Sequence, residues 1–227
     1  MYIHGSLVNK LIENIINIDF VTLKYLIIME SDEIQQVSDL KPLLKVSNKI
    51  FSNNLIGKHD LIKPLPLGLE RQGYRSAGRL KNFKKPPIID FKIRSISFLV
   101  AWNDLTNTNR LKAREIFSKD KRSLIVNKRL NARTVHKLMR KSLFVPSPAG
   151  NGPDCHRTWE AIYLGCVPVV LKSEFTGLES WPVLLIDDWS DLINKSSLEL
   201  ENLYKFISCD RNKAFNFSQK ILSEISG

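Results

Sequence analysis

LFVPSPAGNGPDCHRTWEAIYLGCVPVVL, residues 143–171, reads as strand, loop, helix and strand in succession. Leu143–Val145 is a short apolar run of strand length. Pro146–Cys155 is a loop, dense in proline and glycine. His156–Leu164 has helical character and stops at Gly165, a residue suited to the left-handed turn that ends helices. Val167–Leu171 is again an apolar strand. A strand that returns through a helix to another strand pairs parallel with it, so this stretch predicts a βαβ unit.

The same alternation extends outward. Ser95–Trp102 predicts a strand and Asn107–Phe117 a helix with Leu111 and Ile116 on its apolar side. Ser123–Val126 predicts a strand, and Ala132–Arg140 a helix with Asn131 as its N-cap. Val183–Ile186 adds a strand before two closing helices. In the first half, Leu7, Leu11, Ile15 and Ile18 recur at helical spacing. Lys24–Met29 and Lys49–Ser52 read as strands, with a weak helix over 34–45 broken at Pro42. Pro64–Gly68 reads as an extended segment whose prolines argue against a central strand. Residues 70–92 read as a linker, with a boundary near Pro86 and Pro87. The expected fold is α/β, with doubly wound domains over 1–87 and 88–227.

The chain has 227 residues and a net charge of +11. No apolar stretch approaches the roughly 18 residues of a membrane span. The start, MYIHGSLVNKLIENI, lacks the pattern of a signal peptide, so a cytoplasmic location is expected. Cys155, Cys166 and Cys209 show no CxxC spacing, so neither a disulfide framework nor a structural zinc is expected. Thirteen basic and only three acidic residues lie between Arg94 and Lys141. Such a segment favours an anionic partner. Between Asn103 and Lys141 its only aromatic residue is Phe117, which leaves little for base stacking, so nucleic acid is not the expected partner.

The loop between residues 147 and 156 lies at the carboxyl end of a strand, where open α/β sheets bind ligands. Gly150 and Gly152 allow close backbone approach. The helix that follows offers unpaired N–H groups and a positive dipole end, with Asp154 or Cys155 near its cap. His156, Arg157 and Glu160 share its first turn and a half. Arg157 can make a forked contact to a diphosphate. Glu160 can accept from two neighbouring ribose hydroxyls. His156 suits a capping role and a ligand role equally.

SPAGNGPDCHRTWEAIYLGCVPVVL closely resembles the donor-binding motif of exostosin-like glycosyltransferases. There a Pro-x-Gly loop leads into an Arg-x-x-Glu-Ala helix and then Gly-Cys-x-Pro-Val. Related bacterial enzymes with a His-Arg-Thr-Trp-Glu core look closer still. Pro66-Leu-Gly68-Leu-Glu70, Thr106-Asn107 with Arg110, and Trp181-Pro182 through Asp187-Asp188-Trp189 also resemble segments of that family. The resemblance implies a GT-B architecture, two Rossmann-like domains facing a cleft. It places the diphosphate on Arg157 and the ribose on Glu160. Gly150, Asn151 and Gly152 would pack against nucleotide or sugar, with Asn107 and Arg110 approaching the phosphates. It implies inversion without a cofactor or an essential metal, the nucleotide-diphosphate sugar being the donor substrate. The family's N-terminal half is longer than the roughly ninety residues before the boundary, so the acceptor side reads as a reduced domain.

The expected activity is transfer of a sugar to a glycan or lipid-linked acceptor, with peripheral association at the inner membrane face in keeping with the basic segment. Asp32, at the end of the strand 24–29, is the candidate base, with His4 and His59 as alternatives. The rival reading is a non-catalytic protein that keeps the nucleotide-sugar fold and serves as a binding subunit.

Overall fold

The computed structural model describes residues 1–15, 22–70, 79–83, 90–173 and 181–209. The expected boundary at Pro86 and Pro87 lies outside these residues, as do Ile18 and the side chain of Cys209. The chain is α/β, and its strand pairs are parallel.

The first sheet runs β1 (Tyr2–His4), β2 (Leu26–Met29), β4 (Ile50–Ser52) and β6 (Ile62–Pro64), in that spatial order. A small pair, β3 (Gln35–Gln36) and β5 (Leu55–Ile56), stands beside it. Helix α1 (Val8–Ile15) and the short α2 (Val37–Leu40) cover one face, burying Val8, Leu26, Ile28, Leu40 and Ile50. The expected helix over 34–45 is instead β3, α2 and a 3-10 turn, Lys41–Lys45, with Pro42 near its start. β1 was not expected: three residues are too few to display an alternating pattern. Pro64 sits in an edge strand, where its missing N–H breaks no ladder.

The second sheet comprises β7 (Ile96–Val100), β8 (Ser123–Ile125), β9 (Ser142–Pro146), β10 (Val167–Leu171) and β11 (Leu184–Ile186). Its spatial order is β11-β10-β9-β7-β8. Helices α3 (Thr108–Ser118), α6 (Ser190–Ile193) and α7 (Ser197–Cys209) associate with one core, built from Phe98, Val100, Phe117, Phe144 and Tyr204. Helices α4 (Ala132–Met139) and α5 (His156–Leu164) pack over the other, with Leu99, Met139, Val145 and Leu164. Alternate strand residues therefore enter opposite cores, as expected of a sheet buried on both faces. Strand order reverses between β7 and β9, and it is beyond the carboxyl ends at such a point that open α/β sheets form a binding crevice. The described strands of the first sheet show no such reversal.

The helix ends follow local chemistry. Asn107 caps α3 by accepting from Asn109 N, and Asn131 caps α4 by accepting from Thr134 N, both at 2.9 Å. Gly165 ends α5 at φ +86°, letting Cys166 N reach Ala161 O before β10 begins. At the opposite end of the sheet from the crevice, buried Arg94 donates to the carbonyls of Met139, Ser142 and Leu164. It thereby ties the ends of α4 and α5 to the start of β9. Arg94→Met should lower stability by about 2–4 kcal/mol, because buried acceptors lose a charged donor. Guanidinium unfolding tests this, and an unchanged midpoint at unchanged slope would refute the anchoring role.

Candidate functional site

The loop after β9 is held from two sides. On the β7 side, Arg110 in the first turn of α3 donates from Nη1 to Asn103 O at 3.0 Å and from Nε to Ala149 O at 2.9 Å. Its guanidinium thus joins both banks of the crevice. Asn107 adds a bond from Nδ2 to Gly150 O at 3.1 Å. A Cβ on Gly150 would lie 2.8 Å from Arg110 Nη2, so this glycine admits the guanidinium.

On the other side the loop meets the first sheet. Asn151 Nδ2 donates to Asp32 Oδ2 at 3.0 Å, across 119 positions of sequence. Asp154 N donates to Asn54 Oδ1 at 3.1 Å, and Asn54 Nδ2 donates to Ser31 O at 2.8 Å. A Cβ on Gly152 would lie 2.8 Å from both Asp32 O and Asn54 Nδ2. The room that Gly150 and Gly152 provide is therefore taken by protein, where the sequence suggested a ligand. Asn54 at φ +50° and Glu30 at φ +61° turn the chain left-handed beside this contact. Asn tolerates that region, whereas Glu30 stores local strain just before Asp32. His4 and His59 engage their own turns, through Ser6 and Leu61 N.

The linker after β6 docks on the start of α5. Leu67 N donates to Asp154 Oδ2 at 2.8 Å, and Trp159 Nε1 donates to the same carboxylate at 2.9 Å. Burial pushes the Asp154 carboxyl up to about 6, against the pull of these donors and of Cys155 N. Cys155 is the N-cap residue and its side chain makes no capping bond. His156 Nδ1 donates to Gly68 O at 2.8 Å, and its Nε2 lies 3.6 Å from Glu70 Oε1. His156 is thus a docking residue for the linker.

Arg157 and Glu160 differ from these neighbours. Arg157 stacks over Trp102 at the end of β7, 5.8 Å from the ring centroid, and has no acidic partner among the described residues. Glu160 is buried, yet its carboxylate accepts no hydrogen bond from a described residue. Its neighbour is His136 Nε2 on α4, 3.6 Å from Oε1. A half-buried cation with no acidic partner and a buried carboxylate with only His136 beside it, among the described residues, share the first turn and a half of one helix. That arrangement can receive a ligand bearing an anion and hydroxyls.

Of the thirteen basic residues between Arg94 and Lys141, five arginines bond internally. Arg94, Arg110 and Arg140 donate to carbonyls, and Arg114 and Arg122 pair with Asp104 and Asp120. The other eight are exposed and spread over α3, β8's flanking turns and α4. The segment is therefore not a single basic wall of the crevice. Among the described residues, no three His, Cys, Asp or Glu side chains cluster so as to hold a metal ion. No helix among them is long and apolar enough to cross a membrane. Cys166 is a buried core residue whose thiol donates to Met139 O. His136, Trp102 and Asn54 were missed in the sequence, since none belongs to a local motif. In comparisons with known proteins, no family model matches the chain and no curated protein matches it.

Gly152→Ala should cost about 1–3 kcal/mol, because one of the atoms it meets is backbone. An unchanged midpoint of unfolding would show that the loop is free to shift. Asp154 gives stability a definite pH slope. Between pH 4 and 6 the folded chain holds a proton that the unfolded chain has released, so stability declines as pH rises. Relative to Asp154→Asn, the wild-type unfolding free energy should fall by about 2 kcal/mol from pH 4 to 7. A difference that is flat with pH would contradict the burial of this charge.

Proposed function

We propose that the protein is a GT-B glycosyltransferase of exostosin-like type that moves a sugar from a nucleotide-diphosphate donor to a glycan or lipid-linked acceptor. The observation that carries this reading is the pair Arg157 and Glu160, which make no hydrogen bond among the described residues and lie beside the point where the second sheet's strand order reverses. Arg157 and the start of α5 supply positive charge for a diphosphate, and Glu160 supplies acceptors for ribose hydroxyls. Asp32, an exposed carboxylate at the end of β2, faces the same loop from the other sheet. In this reading it removes the acceptor's hydroxyl proton as that oxygen attacks the anomeric carbon. The leaving diphosphate is stabilised by fixed positive groups, with no metal required.

The reading places the enzyme in the cytoplasm, with the exposed lysines and arginines of α3 and α4 suited to an anionic membrane surface. A second reading, a nucleotide-sugar-binding subunit without turnover, draws on the closed packing of the loop against Asp32 and Asn54.

Thermal shift and calorimetry with UDP, GDP, TDP and ADP test the donor site. One of these should stabilise the protein. Arg157→Ala and Glu160→Ala should each weaken its binding by about 1–3 kcal/mol. Unchanged affinity in both variants would remove the site from α5. Asp32→Asn should then abolish donor turnover while leaving nucleotide affinity in place. A wild-type protein that binds the donor and turns over no acceptor would favour the binding subunit.

A further inference from the structure

The seam between α4 and α5 holds a histidine that the site does not yet explain. His136 is 4% exposed, and neither ring nitrogen has a hydrogen-bond partner. Buried polar atoms nearly always have one. An imidazole carries at least one N–H, so a donor here stands unmatched. Its Nε2 lies 3.6 Å from Glu160 Oε1, a few tenths of an ångström beyond hydrogen-bond reach.

The surroundings fix the ring in place. Met139 of α4 and Ala161 and Leu164 of α5 are buried in one cluster, with Val135 and Leu138 packed against it. Phe83 lies against the imidazole with centroids 5.0 Å apart, and also touches the ring of Tyr163. The pair is asymmetric. The His136 side chain is 5% exposed and that of Glu160 is 11%, so the imidazole is the more deeply buried of the two. Bonds at functional sites are often long in the free protein and tighten when ligand binds.

We propose that His136 is a positioning residue for Glu160. Its Nε2–H donates to Oε1 when ligand is bound, and so fixes the carboxylate with its other oxygen turned to the vicinal hydroxyls of a ribose. This rests on the reading of Glu160 as the ribose acceptor. A glutamate alone must order three side-chain torsions on binding, whereas one braced by the imidazole has lost that freedom beforehand. The ligand class that gains is the ribonucleotide, over its 2′-deoxy counterpart.

The test is calorimetry with whichever nucleoside diphosphate binds and its 2′-deoxy form. It uses the wild type, His136→Leu, His136→Gln and Glu160→Gln, with melting temperatures recorded for each. The wild type should prefer the ribose form by roughly tenfold, the worth of one good hydrogen bond. His136→Leu should bring that preference to within about twofold, as should Glu160→Gln. His136→Gln should keep most of it, since the glutamine amide can stand where Nε2 was. A purely structural histidine would lower melting temperature and leave the ratio alone, so a preserved ratio in His136→Leu overturns the proposal. If His136→Leu does not fold, His136→Asn replaces it, because the asparagine amide stands near Nδ1 and cannot reach Glu160. A ratio that His136→Asn preserves overturns the proposal in the same way. A preference lost in Glu160→Gln and kept in the His136 variants leaves the ribose assignment standing without this inference. No diphosphate binding, or no preference in the wild type, sinks both.

Discussion

The loop after β9 keeps its course because bonds of opposite direction hold it. Arg110 draws Ala149 toward the turn after β7, while Asn54 and Asp32 draw Asp154 and Asn151 toward the first sheet. Between these anchors the loop has little freedom, and the start of α5 inherits its position. Arg157 and Glu160 stand where they do because this loop delivers them there. Remove either anchor and the crevice loses one bank.

Energetically, the arrangement balances a burial penalty against directional bonds. Asp154 is a carboxylate with almost no access to water, and burial alone would keep it protonated. Leu67 N, Trp159 Nε1 and Cys155 N restore part of what hydration would have given. The linker is thus joined to α5 through a group that destabilises the fold more as pH rises. Trp159 gains rigidity from the same bond and stacks edge-on with Trp181 at 4.8 Å. Neutral apolar packing would hold these elements more cheaply, but without fixing the direction of α5.

Much of the second sheet was legible in the sequence, because its strands are apolar runs and its helices begin and end on recognisable residues. Asn107, Asn131 and Gly165 each act locally, and local chemistry is what a sequence displays. The two-residue strands β3 and β5 were not legible, since they exist only by pairing with each other. The same holds for the site. Arg157 and Glu160 sit in a motif, which is why the sequence singled them out as candidates. His136 and Asn54 act through partners 24 and 100 positions away, and nothing near them in the chain marks that. The glycines were noticed for the right property, their lack of a side chain, but the space they leave is filled by Arg110, Asp32 and Asn54.

The loop is also the mechanical coupling between the two sheets. It is stitched to Asp32 and Asn54 on one side and to Asn107 and Arg110 on the other, with Asp154 and His156 tying in the linker. A rigid-body swing of one sheet against the other cannot pass around this segment and must shear it. Any such swing displaces the first turn of α5, and with it the guanidinium of Arg157. The angle between the sheets and the position of the first turn of α5 are therefore tied to each other through this one segment.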